Sequence, residues 1–99
     1  MKIQFEDPDL ERLYTDPEFR LPALSEEPTR AYRRRLASIV AATDERDLRA
    51  VKSLHFEKLS GNRQGQLSIR INKQWRLIFR LETDDSGKLV VIVEIVDYH

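Results

Sequence analysis

Residues 68–81 read SIRINKQWRLIFRL, and the alternation within them decides the fold. Ile69 and Ile71 fall on one side of an extended chain, while Ser68, Arg70 and Asn72 fall on the other. Asn72-Lys73-Gln74 forms a turn, after which Trp75, Leu77, Phe79 and Leu81 take the apolar side and Arg76 and Arg80 the polar side. Two antiparallel strands with one apolar and one cationic face follow from this pattern. Downstream, Asp84-Asp85-Ser86-Gly87 is a hairpin turn. Lys88 to Val96 is then a long strand rich in β-branched residues.

Upstream, HFEKLSGNRQGQ (residues 55–66) holds two glycines, an asparagine and a serine, and reads as a loop entering the sheet. Gly61 and Gly65 lack a complete phosphate-loop signature and read as turn glycines. The clearest helix spans about Thr29 to Thr43, with Tyr32, Leu36, Ile39, Val40 and Thr43 forming one buried stripe. Asp44 to Val51 adds a short helical turn capped by Asp44, with Leu48 and Val51 facing inward. Before a proline-rich and acidic linker from Glu18 to Pro28, Asp7-Pro8 caps a first helix that buries Leu10, Leu13 and Tyr14. Lys2 to Phe5 is a short edge or first strand.

The order strand, helix, helix, then three antiparallel strands implies an α+β fold. The expectation is a single domain over residues 1–99, with a small antiparallel-rich sheet of about four strands and two N-terminal helices packed on one face. That face buries Ile69, Ile71, Trp75, Leu77, Phe79 and Leu81. Trp75 reads as core and not as a platform for stacked bases.

A chain of 99 residues has room for one modest core, so any active site lies on the surface or edge of that core. Without cysteine there is no disulfide, thiolate metal site or thiol nucleophile. Two histidines, His55 and His99, are too few to suggest zinc, and no metal or other cofactor is expected. The opening MKIQFEDPDL has no long apolar stretch and no run reaches membrane-spanning length, so the expectation is a soluble cytoplasmic protein with no membrane partner. The net charge of zero hides a segregation: residues 1–28 carry three basic and eight acidic groups, residues 29–80 thirteen and four, and residues 81–99 one and five. A basic middle can act as a local phosphate-binding surface because exposed charges are screened beyond about 8–10 Å. Arg30, Arg33, Arg34 and Arg35 are either part of that surface or a solvated helix face.

Arginines alternating on two paired strands lie side by side, about 5 Å apart, and repel one another unless an anion joins them. Phosphate suits the planar guanidinium fork; the alternative is that Arg70, Arg76 and Arg80 pair with Glu82 and Glu94. At the C-terminus, Asp97-Tyr98-His99 places an imidazole and a phenol together. His99 is either a frayed end or a proton donor or acceptor near neutrality.

The stretch FEKLSGNRQGQLSIRINKQWRLIF, followed by a last strand ending EIVDYH, resembles the HigB-type killer toxins of the RelE/ParE superfamily. The resemblance covers about residues 54–99. It implies a RelE-like fold and a ribosome-dependent mRNA endonuclease that needs no metal. By position, it implies that Arg76 stabilises the scissile phosphate and that Asp97, Tyr98 and His99 form the terminal part of the active surface. His55 matches a histidine preceding the basic loop in some members, and Arg70 and Arg63 hold RNA backbone or ribosomal RNA, with Lys58, Lys73 and Arg80 as further RNA-binding cations. Where the family places lysine before the loop glycine, this chain has Ser60 before Gly61, and Lys58 is the nearest cation. The acidic N-terminal segment is a second departure. A gyrase-inhibiting poison of the ParE type, or an antitoxin-binding relative without activity, are the alternatives. In every case the resemblance implies an antitoxin of the HigA-type helix-turn-helix class, the ribosome and mRNA as further partners, and operator DNA only through the antitoxin complex.

Overall fold

Lys2–Phe5 (β1) opens a five-stranded sheet that the rest of the chain completes from its second half. The computed structural model describes residues 1–98. After β1 come α1 (Pro8–Thr15), α2 (Glu26–Ala41) and α3 (Glu45–Ala50), then β2 (Glu57–Lys58), β3 (Leu67–Arg70), β4 (Trp75–Asp84) and β5 (Gly87–Asp97). Single 3-10 turns lie at Lys52–Leu54 and Gly61–Arg63. The sheet order is β1-β5-β4-β3-β2, with β1 parallel to β5 and the other pairs antiparallel.

The α+β class and the two helices on one sheet face are as expected, but the sheet has five strands and not about four. The additional strand, β2, has two residues inside the segment read as a loop, too short for any periodicity to register. It pairs Glu57 with Ser68 and Lys58 with Leu67.

Asp7 caps α1, its side chain accepting from the Asp9 N–H at 2.8 Å, with Pro8 at the first helical position. Helix α2 starts three residues earlier than the spacing predicts, at Glu26. Pro28 is tolerated there because a first-turn residue has no intrahelical acceptor for its missing N–H. The stripe of α2 buries Tyr32, Leu36 and Ile39 completely. Val40 and Val51, expected to face inward, are instead 45% and 46% exposed. Val40 lies at the flank of the stripe one residue from the helix end, and Val51 is the extended C-cap that turns the chain out of α3. Thr43 lies past the end of the helix.

Leu10, Leu13, Tyr32, Leu36 and Ile39 pack against Ile69, Leu77, Phe79, Val90 and Ile92 in one core. Each such side chain contributes about 1.5–3 kcal/mol relative to exposure. Trp75 is partly buried against this core, as expected. Tyr32 donates to the Leu10 carbonyl at 2.8 Å, so its hydroxyl is satisfied inside the core. Burial pushes the Tyr32 phenol far above its ordinary range, with Asp7 adding to the effect.

One irregularity controls which face β5 shows. Ile78 pairs with Glu94 but Phe79 pairs with Ile92, leaving Val93 as the extra residue of a β-bulge. Ile92 therefore enters the core opposite Phe79, while Glu94 and Val96 turn to the other face, opposite Ile78 and Arg76.

Candidate active site

The sheet face away from the helices is neither fully solvated nor uniformly cationic. Ser68, Arg76, Ile78, Leu89 and Val91 are all buried there. Between this face and the folded-back segment that carries β2 lies a pocket of about 210 Å³, lined by Glu57, Leu59, Arg63, Ser68, Arg76, Ile78, Val96 and Tyr98.

Arg76 forms its floor and is only 5% exposed. Its Nε donates to Ser68 Oγ at 2.9 Å and its Nη2 donates to the His55 carbonyl at 2.6 Å. A buried charge is tolerated only with such partners. The Glu57 carboxylate lies 3.6 Å from the same Nη2. The guanidinium also lies 5.2 Å from the centre of the Tyr98 ring, a cation–π contact. Tyr98 is held by its backbone N–H, which donates to the Gln74 carbonyl at 2.6 Å, while its side chain stays largely exposed at the rim.

His55 acts here through its backbone. It adopts a left-handed conformation with φ 48° and ψ 53°, unusual for a residue with a side chain and a form of strain that recurs at functional sites. That conformation turns its carbonyl to Arg76. The imidazole of His55 is not among the groups lining the pocket.

Arg70 stands directly across from Arg76 on the neighbouring strand. No ion pair is made by the Arg70 side chain among the described residues. Arg63 lies at the pocket wall, donating to Gln66 Oε1 at 2.9 Å and paired with Glu94. Arg80 lies beyond the pocket, hydrogen-bonded to Glu6 and Glu82, and these two carboxylates raise its already high pKa. The alternative in which Arg70, Arg76 and Arg80 pair with Glu82 and Glu94 thus holds for Arg80, which pairs with Glu82, whereas Glu94 is taken by Arg63 and Arg76 lies beside Glu57.

The remaining expected residues are spread more widely. Lys58 lines a separate pocket with Leu67 and Leu81, and Lys73 is exposed in the β3–β4 turn. Asp97 pairs in register with Trp75, and its carboxylate accepts from Gln74 Nε2 at 3.1 Å. His99 lies outside the described residues. The structure thus gathers Arg76, Arg63 and Tyr98, with Arg70 next to them.

Two polar pocket residues, Ser68 and Glu57, escaped the sequence reading. Ser68 looked solvent-facing because nothing in the alternation shows that residues 55–66 fold back over it. Glu57 lay in a presumed loop; in the structure Phe56 packs its ring 6.2 Å from that of Phe79, so its extended neighbour points the other way.

Chemically, the pocket presents a fixed guanidinium, a second arginine at its wall, a carboxylate 3.6 Å from the fixed guanidinium, and an aromatic rim. This suits a phosphodiester with an adjacent hydroxyl. Residues 3–99 match the family described as RelE-like toxin of type II toxin-antitoxin system HigB. The chain belongs to that family. As a type II toxin, this HigB-like chain implies an antitoxin partner. It is 41% identical over 80 residues to Toxin HigB-1 of Vibrio cholerae serotype O1 (strain ATCC 39315 / El Tor Inaba N16961), spanning 81% of this chain and 83% of that one. The YoeB/ParE toxin from Agrobacterium tumefaciens shares the fold, with a TM-score of 0.59 over 100% of both chains at 16% identity. No helix of the HigB-like chain is long and apolar enough to cross a membrane among the described residues.

Proposed function

We propose that this HigB-like toxin is a cytoplasmic endoribonuclease that cuts mRNA on the ribosome and is restrained by a HigA-type antitoxin. The observation that carries the reading is the buried Arg76 guanidinium, fixed by Ser68 and His55 and facing Glu57 across the pocket. An arginine used only for solubility would not be drawn 95% out of water and oriented by two acceptors.

Cleavage proceeds by attack of the ribose 2′-oxygen on the adjacent phosphorus. Glu57 takes the 2′-hydroxyl proton, the new P–O bond forms, and the P–O bond to the 5′-oxygen breaks. The leaving oxygen receives a proton from His99, with Tyr98 orienting the phosphate. The products are a 2′,3′-cyclic phosphate and a free 5′-hydroxyl. Arg76 neutralises the charge that accumulates on the pentavalent phosphorane, and Arg63 and Arg70 hold neighbouring phosphates. The size of the pocket supports ribosome dependence: about 210 Å³ suits a single linkage, and orientation of the message is then supplied from outside.

Primer extension on a translated message in a reconstituted translation system tests the reading. Cuts that require ribosomes and disappear with Arg76→Ala or His99→Ala are expected, in variants that retain the fold. Absence of cuts from the parent protein, together with inhibition of purified gyrase, would transfer the activity to a ParE-type poison.

A further inference from the structure

The arginine-rich helix α2 divides into two functions. Arg33 is structural: its guanidinium donates to the carbonyls of Leu13, Asp16, Pro17 and Phe19, closing the end of α1 and the linker after it. Arg30 and Arg34 are exposed, and neither has a carboxylate within ion-pair distance among the described residues. They are four residues apart, so their side chains lie on one face about 5–6 Å from each other. Arg35 is half-buried beside them and its Nε donates to the Arg70 carbonyl at 2.9 Å. Burial and the adjacent Arg34 both oppose the charge on Arg35, with Glu27 partly offsetting them. Glu27 itself accepts from Asn72 Nδ2 at 2.7 Å.

The Arg35 contact bridges the two sides of the sheet. Strand β2 covers β3 only at Leu67 and Ser68, so the β3 edge is open at Arg70, and Arg35 satisfies the carbonyl there. Across that edge the Arg70 side chain stands opposite Arg76 on the pocket face. A band of guanidiniums thus runs from the pocket floor, round the edge of β3, and along the outer face of α2.

We propose that Arg30, Arg34 and Arg35 form a second RNA-contact surface, which grips phosphate backbone beyond the linkage held in the pocket. This rests on the nuclease reading only for the claim that one RNA-bearing assembly engages both surfaces. Polyanion is the fitting partner because Arg30 and Arg34 have no carboxylate within ion-pair distance among the described residues, the cluster uses forks and not ammonium groups, and it is continuous with a phosphate pocket. An acidic protein segment is the competing occupant.

The test uses the full chain and a fluorescein-labelled RNA hairpin that is 2′-O-methylated throughout, so that it cannot be cut through a 2′-hydroxyl. Binding is measured over a series of salt concentrations for the parent and for Arg30→Gln/Arg34→Gln. For two lost phosphate contacts, the slope of log affinity against log salt is expected to shrink by about 1.4–1.8. Cuts in a translated message should keep their positions, with a lower yield at low salt that falls less steeply as salt rises. An unchanged slope overturns the proposal, as does an unchanged slope combined with weakened antitoxin binding, which would assign the face to a protein partner. The hairpin slope is readable even if Arg76→Ala leaves cleavage intact, so failure of the nuclease reading and failure of this surface are separate results.

Discussion

Replacing Ser68 by alanine removes one oxygen and tests the organisation of the site. In the native protein, Ser68 is 1% exposed and its Oγ accepts from Nε of Arg76, itself 5% exposed. Without that oxygen, the Nε–H of a largely buried charge loses its protein acceptor. Hydrogen bonds to charged groups contribute about 1.5–3 kcal/mol, which for a domain of this size corresponds to a fall in melting temperature of roughly 6–24 °C. The guanidinium, held by the His55 carbonyl and Glu57 alone, can rotate away from the phosphate. Each 1.4 kcal/mol of lost transition-state stabilisation reads as a tenfold drop in cleavage. The assay is urea unfolding of four proteins: parent, Ser68→Ala, Arg76→Met and the double variant. A coupling energy of about 1.5–3 kcal/mol is expected, because alanine at 68 harms only a protein that still carries the guanidinium. A coupling below about 0.5 kcal/mol would refute the reasoning, since Ser68 would then be a filler and not the orienting acceptor.

Four further outcomes follow from the geometry. Tyr32→Phe removes the hydrogen bond to the Leu10 carbonyl and is expected to cost about 0.5–1.5 kcal/mol in urea unfolding. Because the folded-state pKa of Tyr32 is raised, its contribution is complete below the unfolded value near 10 and declines above it; stability against alkali should therefore fall more steeply in the parent than in the phenylalanine variant. Asp84, hydrogen-bonded by Lys2 and by the backbone and side chain of Ser86, has its pKa drawn down to about 2. Its contribution is complete above the unfolded value near 4 and lost as pH falls through about 2, so Asp84→Asn should flatten that part of the acid limb in urea midpoints. Arg33→Lys is expected to lower the melting temperature more than Arg30→Gln or Arg34→Gln, whose effects should stay within about 0.5 kcal/mol; equal effects would show that the carbonyl contacts of Arg33 are unimportant. Deleting Val93 removes the bulge residue and makes Ile92 and Glu94 consecutive, so that they pair with Phe79 and Ile78 in regular alternation and keep their core and pocket faces; the fold and cleavage are expected to survive. Loss of cutting in a folded deletion variant would show that the local twist at the bulge, and not the pairing register alone, orients this end of the strand.

What the sequence disclosed depends on how far each cause extends along the chain. Strand β4 was legible because ten or so residues repeat one simple periodicity between clear turns, β5 because a hairpin turn precedes a long run of β-branched residues, and α1 because Asp7-Pro8 marks its start chemically. Helix α2 was located but begun late, since a proline usually read as a boundary here occupies the first turn. Val40 and Val51 are apolar residues near helix ends, where a stripe no longer has a sheet beneath it. For the site, family likeness pointed to Arg76 and Tyr98, while Ser68 and Glu57 depended on a non-local event, the return of residues 55–66 over the sheet. No local pattern encodes such a return.

The bulge at Val93 explains why β5 in particular resists reading by alternation. Leu89 to Val96 is apolar except at Glu94, and strict period two would place Val90, Ile92, Glu94 and Val96 together. That arrangement would put a carboxylate in the core with the apolar pair that precedes it. The extra residue switches faces at one point, so the first half of the strand packs under the helices and the second half turns Glu94, Val96 and then Tyr98 toward Arg63 and Arg76. A single inserted residue thus lets one strand serve the core and the pocket in turn. It also explains how a nearly continuous hydrophobic strand ends in the polar rim of a site whose central charge is buried.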